Sequence, residues 1–280
     1  MPVAPLIQAA IAEVGPIVTV HGAQPDLTWP LVRTLVAVPE VDSTSDRAAE
    51  LVRAGIVALP LAVWARRQWR GRGRGSHSWW SDAGSLLFTL AIDPATHGLA
   101  VESEPKLALA AAVAIVDALR ALDLAGPSLG IRWPNDLEAD DRKLGGLLPE
   151  RIETPHGHRI LIGVGLNVLT DLRAAPVEVR SMATSLAAMS VQPLDEAILP
   201  RLLAAILDQF DSVLARLVDG DPELAHRWSR LDRLRDRWVR LDVGTRIVAG
   251  WGRGIDPEGA LRLDDGRQVL RFFGGQVLRP

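Results

Sequence analysis

The chain has 280 residues, 48% of them hydrophobic and 23% charged, with a formal net charge of -3, which allows one large domain or a large and a small one. The acidic balance argues against a general nucleic-acid binder, and the absence of cysteine excludes a disulfide framework, a thiol nucleophile and a cysteine-held metal. No run of about 20 apolar residues is available to span a bilayer, and the first residues lack the basic start and apolar core of a secretory signal, so a cytoplasmic location is expected.

Residues 1–36 carry weak helical periodicity from Ile7 to Val14 and a turn at Gly22-Ala-Gln-Pro25, with nothing like a helix-turn-helix. Leu35 to Val41 reads as a strand. Asp42-Ser43-Thr44-Ser45-Asp46 then leads into a helix that Gly55 ends. Capping is one role for Ser43 and Thr44; a helix N-terminus also offers N–H groups to polar ligands. Ile56 to Ala65 is predicted as a buried strand despite Pro60, and Leu86 to Ile92 as its return.

Between these strands lies Gln68-Trp-Arg-Gly-Arg-Gly-Arg-Gly-Ser-His-Ser-Trp-Trp80. Glycine lets an anion approach the backbone, arginine brings a planar fork for phosphate or carboxylate, and tryptophan brings a flat apolar wall. A solvated linker or a non-specific nucleic-acid patch has the same composition. No Gly-Lys-Ser/Thr follows, so this is not a Walker loop.

Pro105 to Leu122 is a strongly apolar helix with a structural role. Pro134 and Asn135, in Gly130-Ile-Arg-Trp-Pro-Asn-Asp-Leu137, bend the chain at the end of a strand. Asp136 and Lys143 lie across a predicted hairpin and face one site; Gly145 and Gly146 let a ligand come close. Only Lys106 and Lys143 among 31 basic residues are lysine, and a lysine kept in an arginine-rich chain hints at a place that needs a compact ammonium. Arg159 to Val168 is a buried strand in which Asn167 serves backbone groups or a ligand. His156 and His158 sit in a turn without a third metal ligand. Ala183-Thr-Ser-Leu186 opens a short helix, and Leu194 to Leu217 is a long amphipathic one. Beyond the charged stretch Arg230–Arg237, Trp238 to Pro280 reads as a small all-β module whose core is expected from Trp251, Phe272 and Phe273.

Together these motifs resemble the biotin protein ligases within the biotinyl/lipoyl protein ligase family. The carrying residues are Asp42-Ser-Thr44, Gln68 with Gly71-Arg-Gly-Arg74, Trp79 with Ser81 and Gly84, Arg132-Trp-Pro-Asn-Asp136, Arg142-Lys-Leu-Gly-Gly146 and Gly163-Val-Gly-Leu-Asn167. The resemblance implies an α+β fold: a mixed sheet flanked by helices, like class II aminoacyl-tRNA synthetases, with a small C-terminal SH3-like barrel. It divides the chain into an unassigned extension (1–36), a catalytic domain (37–232) and a β-domain (233–280). It implies ATP- and Mg2+-dependent formation of biotinyl-5′-adenylate, then transfer of biotin to a lysine of a biotin carboxyl-carrier domain. A lipoate or octanoate ligase of the same fold, or a non-catalytic holder of biotinyl-adenylate, is the alternative.

By this resemblance Lys143, Arg74 and Asp136 are catalytic. Ser43, Thr44, Ser45, Gln68, Arg72, Gly73, Arg74, Trp79, Lys143 and Gly145 bind biotin. Arg72, Arg74, Asn135, Lys143 and Asn167 bind the nucleotide, and no metal ligand is assigned. Ser45 replaces the family's usual asparagine, and Gly75-Ser-His-Ser78 replaces further basic residues. No DNA partner and no membrane are expected, and the protein is a monomer or homodimer.

Overall fold

Near-continuous apolar runs such as Leu86–Ile92 build a large sheet that is buried on both faces. The computed structural model describes residues 18–21 (backbone only), 32–55, 57–126 and 128–279. The helix and turn expected at residues 7–14 and 22–25 lie outside them. The strands of the sheet are β1 (Val18–His21), β2 (Thr34–Val41), β3 (Leu61–Gln68), β4 (Ser85–Ile92), β5 (Gly130–Arg132), β6 (Asp136–Ala139), β7 (Arg142–Thr154) and β8 (Gly157–Asn167), in the order β1-β2-β3-β4-β8-β7-β6-β5. Among these strands only β2 and β3 pair in parallel; the other neighbours are antiparallel.

Helix α1 (Thr44–Ala54) is capped by Ser43, whose Oγ accepts from Asp46 N, and closed by Gly55 at φ 66°. It buries Ala48, Ala49, Leu51 and Val52 against Leu61, Val63, Ala91 and Leu161, on one face of the sheet. The opposite face carries Trp64, Phe88, Leu90, Ile162 and Val164, and is covered by α2 (Leu107–Ala121) and α5 (Ile198–Val218). The short α3 (Val177–Met182) and α4 (Leu186–Met189) lie between, and α6 (Pro222–Leu231) follows. Among the described residues no helix is long and apolar enough to cross a membrane.

Three expectations are corrected. The strand expected at Ile56 to Ala65 begins at Leu61, after Pro60, and runs on to Gln68. Proline has no N–H for a ladder; here only its carbonyl serves, accepting from Arg33 N and Thr34 N. The helix expected from Pro105 starts at Leu107, because Val101–Lys106 forms a 3-10 turn containing the proline. Finally, Trp251 and Phe273 are not core residues.

The last strands, β9 (Trp238–Asp242), β10 (Ile247–Ile255), β11 (Leu261–Asp264), β12 (Val269–Phe272) and β13 (Gln276–Val277), form an antiparallel sheet in the order β12-β11-β10-β9-β13. Val239, Leu241, Ile255, Leu261 and Leu263 are its buried apolar side chains. Period-two alternation turns Trp238 and Trp251 outward as an edge-to-face pair, their centroids 5.7 Å apart. Phe273 is exposed, and Phe272 packs only partly on the core.

Candidate active site

The site lies on the α1 face of the large sheet, beyond the patch that α1 covers. Strand alternation places Gly163 and Gly165 of β8, Gly146 and Glu150 of β7, and Asp136 of β6 on this face, with Thr89 of β4 beside them. Three of these are glycines, so at those positions the strip has no side chain of its own and other groups can lie against the backbone. A Cβ on Gly165 would stand 2.5 Å from the Trp79 indole, and one on Gly146 3.2 Å from it. The ring of Trp79 therefore lies directly on the backbone.

Lys143 reaches this strip through a register break. Asp136 pairs with Gly146 and Leu137 with Gly145, but Glu138 pairs with Lys143, so one residue is skipped. The bulge sends Leu144 into the core and turns Lys143 to the side of Asp136. Its ammonium lies 2.7 Å from Asp136 Oδ1 and 5.4 Å from the centroid of Trp79. The Lys143 carbonyl accepts from Thr184 N.

At the other end of the strip, Gln68 Oε1 accepts from Thr44 N at 2.7 Å and from Thr44 Oγ1 at 3.0 Å. Thr89 Oγ1 lies 2.9 Å from Thr44 Oγ1 and 3.0 Å from Ser45 Oγ. Thr44, Ser45 and Thr89 are all buried. Ser45 sits over Gly163, whose Cβ would stand 2.8 Å from its Oγ. Strand geometry separates this hydroxyl-and-amide end from the ammonium end by two residues along β8, about 7 Å, and one strand across, about 5 Å. The arrangement suits a ligand with a polar head, a short apolar middle and an anionic tail.

The Gly/Arg loop joins β3 to β4 as a small hairpin. Trp79 N donates to Gly71 O and Gly73 N to His77 O, with Gly75 at φ 63° in the turn. A Cβ on Gly71 would meet Trp79 O at 2.7 Å, so glycine is what lets the two arms close. Arg72 does not point at open space: the Glu150 carboxylate accepts from both of its Nη atoms. Partial burial works against its charge, but the Glu150 carboxylate, with Asp46 behind it, outweighs this and raises its pKa. Arg74 is exposed and meets no carboxylate among the described residues. Trp79 Nε1 is buried without a hydrogen-bond partner among them, as is Ser81 Oγ. Trp79 is thus an apolar wall that also offers a donor.

The remaining expected residues split. Ser43 caps α1. Asn135 Nδ2 donates to Leu147 O at 2.6 Å, fixing the bend before Asp136 to β7. Asn167 Nδ2 donates to Thr184 O, the backbone-serving alternative, and so braces the segment that holds Lys143. Gly145 turns toward Leu166 and Gly73 toward His77; Gly146 is the glycine beside Lys143 and Asp136. Thr89 and Glu150 carry no sequence motif. Only strand pairing brings them here. No group of three or more His, Cys, Asp or Glu is gathered among the described residues to hold a metal.

Comparison with known proteins bears on the family and the fold. The model of the Biotin/lipoate A/B protein ligase family matches residues 37–167. The bifunctional ligase/repressor BirA of Escherichia coli (strain K12) is 30% identical over 249 residues, covering 87% of this chain and 73% of that protein. The biotin--[acetyl-CoA-carboxylase] ligase of Paracoccus denitrificans is 31% identical over 245 residues, covering 84% and 98%. Among solved structures, the biotin protein ligase from Aquifex aeolicus in complex with biotin and ATP superposes with a TM-score of 0.72 at 23% identity, covering 87% of this chain and 97% of that one.

Proposed function

Since the chain belongs to the biotin/lipoate A/B protein ligase family, we propose that it ligates biotin to a lysine of a biotin carboxyl-carrier domain, using ATP. In the first step a biotin carboxylate oxygen attacks the α-phosphorus of ATP, forming biotinyl-5′-adenylate and releasing pyrophosphate. In the second, the amine of the carrier lysine attacks the acyl carbon and releases AMP.

The observation that carries this reading is the glycine-cleared strip with the Lys143 ammonium at one end and the Gln68–Thr44–Ser45–Thr89 network at the other. In this reading Lys143 neutralises charge where carboxylate and phosphate meet, the largest electrostatic demand of the first step. Arg74 supplies a second cation from the loop. Thr44, Ser45 and Gln68 offer donors and acceptors to a ureido ring, and Trp79 lines the apolar middle. A dithiolane or plain hydrocarbon head has no N–H or carbonyl to exchange hydrogen bonds with those groups, which favours biotin over lipoate or octanoate. The closed loop shields the anhydride from water.

Magnesium fits the donor set in one respect. It takes one or two carboxylates together with substrate phosphates, and Asp136 is a carboxylate beside Lys143. Bound there with the nucleotide, it would offset phosphate charge.

The test is to incubate the protein with labelled biotin, ATP, magnesium and a carrier domain. Label should appear on the carrier lysine only when ATP is present, and excess lipoate should not compete. ATP-independent label, no label, or displacement by lipoate would overturn the reading.

A further inference from the structure

Glu150 lies on β7, on the same face as Gly146 by strand alternation. Its carboxylate takes Arg72 Nη1 at 2.7 Å and Nη2 at 2.5 Å, a two-pronged pairing. The third nitrogen of the fork, Nε, lies 3.1 Å from Asp46 Oδ1 in the first turn of α1. One guanidinium thus ties together three elements: the Gly/Arg loop, the strand that carries Lys143 and the helix that carries Thr44. Arg72 also bridges Ser78 across the loop hairpin, so fixing Arg72 fixes the arm that leads to Trp79.

A lone exposed ion pair contributes little, but a bidentate arginine–carboxylate pair within a network of charges is the exception. Two carboxylates face one guanidinium here. Were an anionic ligand to draw Arg72 away, Glu150 and Asp46 would be left unpaired beside it and would repel it. Arg72 is therefore better held where it is, while Arg74 remains available to the ligand.

We propose that Glu150 is a positioning residue: acting through Arg72, and seconded by Asp46, it latches the Gly/Arg loop onto the Lys143 strand and so holds the acyl-adenylate in place. Its consequence for retention rests on the adenylate-forming reading; its geometry does not.

The experiment compares the full chain with Glu150→Gln, Asp46→Asn and the double variant, by amide hydrogen exchange without ligand. Exchange at Gly73, His77 and Trp79 should quicken about fivefold in Glu150→Gln and further in the double variant, the scale of one well-formed ion pair. Amides of β8 should not change. Unchanged loop exchange in the double variant, or an equal rise across β8, would overturn the latch. Release of biotinyl-adenylate should quicken by a similar factor, while first-step kcat at saturating biotin and ATP stays within about twofold. A faster-exchanging loop that releases adenylate no sooner would also overturn it. If the unaltered protein forms no adenylate, the proposed function fails, and the exchange data still decide whether the latch exists.

Discussion

At the scale of single residues, the ammonium of Lys143 and the bare backbone of Gly165 carry the largest expected effects. Lys143→Ala should lower the rate of pyrophosphate exchange at least about 100-fold, as losing one fixed charge stabiliser does. Its melting temperature should hardly change, because the ion pair with Asp136 is partly exposed. Gly165→Ala sets a methyl against the Trp79 indole, so the ring must leave the strip. The KM for biotin should rise about tenfold or more, the scale of losing over 1.4 kcal/mol of binding, while an Arg74→Ala variant should keep that KM and lose first-step rate instead. Lys143 and Trp79 are legible in the sequence, because a rare lysine and a tryptophan closing a Gly/Arg run stand out in the chain. Glu150 and Thr89 are not: glutamate is common, a threonine in an apolar strand reads as β-propensity, and both reach the site through pairings across distant strands.

Among the elements, short continuous apolar runs and well-capped helices are legible almost to their ends, as Ser85–Ile92 and the cap at Ser43 illustrate. Proline moves the starts of Leu61–Gln68 and Leu107–Ala121, while the helix expected from Leu194 starts at Ile198, after a turn in which Asp195 Oδ1 accepts from Ala197 N. The bulge at Leu144 leaves no mark in the sequence, since Lys-Leu-Gly-Gly alternates no differently from an unbroken strand; register is a property of pairs. The C-terminal aromatics mislead for a related reason. Large apolar side chains suggest a core, but alternation along β10 buries Gly250 and Gly252 and turns Trp251 out. A Cβ on Gly252 would come within 2.0 Å of Leu234 O, a backbone atom that cannot swing aside. Gly252→Ala should therefore cost on the order of 3 kcal/mol, read as a fall in the denaturation midpoint with KM for biotin preserved in the folded fraction.

Across the whole molecule, polar side chains fasten the two sheets together close to the site. Trp133 Nε1 donates to Gly259 O, and Trp228 Nε1 to Asp256 O. Glu138, buried on β6, pairs with Arg279 at 2.7 Å, and Arg132 donates to Leu278 O. Asp232 sits in the link between α6 and β9, with Oδ2 buried and unpartnered among the described residues. Burial pushes its carboxyl up from 3.8 to about 6, against the hydrogen bond from Leu234 N. The folded state thus holds this proton more tightly than the unfolded chain does. The stabilisation is complete below about pH 4, is lost as pH rises through about 6, and remains as a penalty above that. Asp232→Asn should raise unfolding free energy by on the order of 2 kcal/mol near pH 7.5 and by nothing near pH 4; an equal gain at both would refute the assignment. A last consequence follows from the two lysines. Under the proposed chemistry the protein manufactures a mixed anhydride that acylates any free amine. Yet Lys143 is engaged with Asp136, and Lys106 stands at the start of α2. With arginine in nearly every other basic position, escaping product finds scarcely a side chain of its maker to label, and side-chain self-modification should be confined to Lys106.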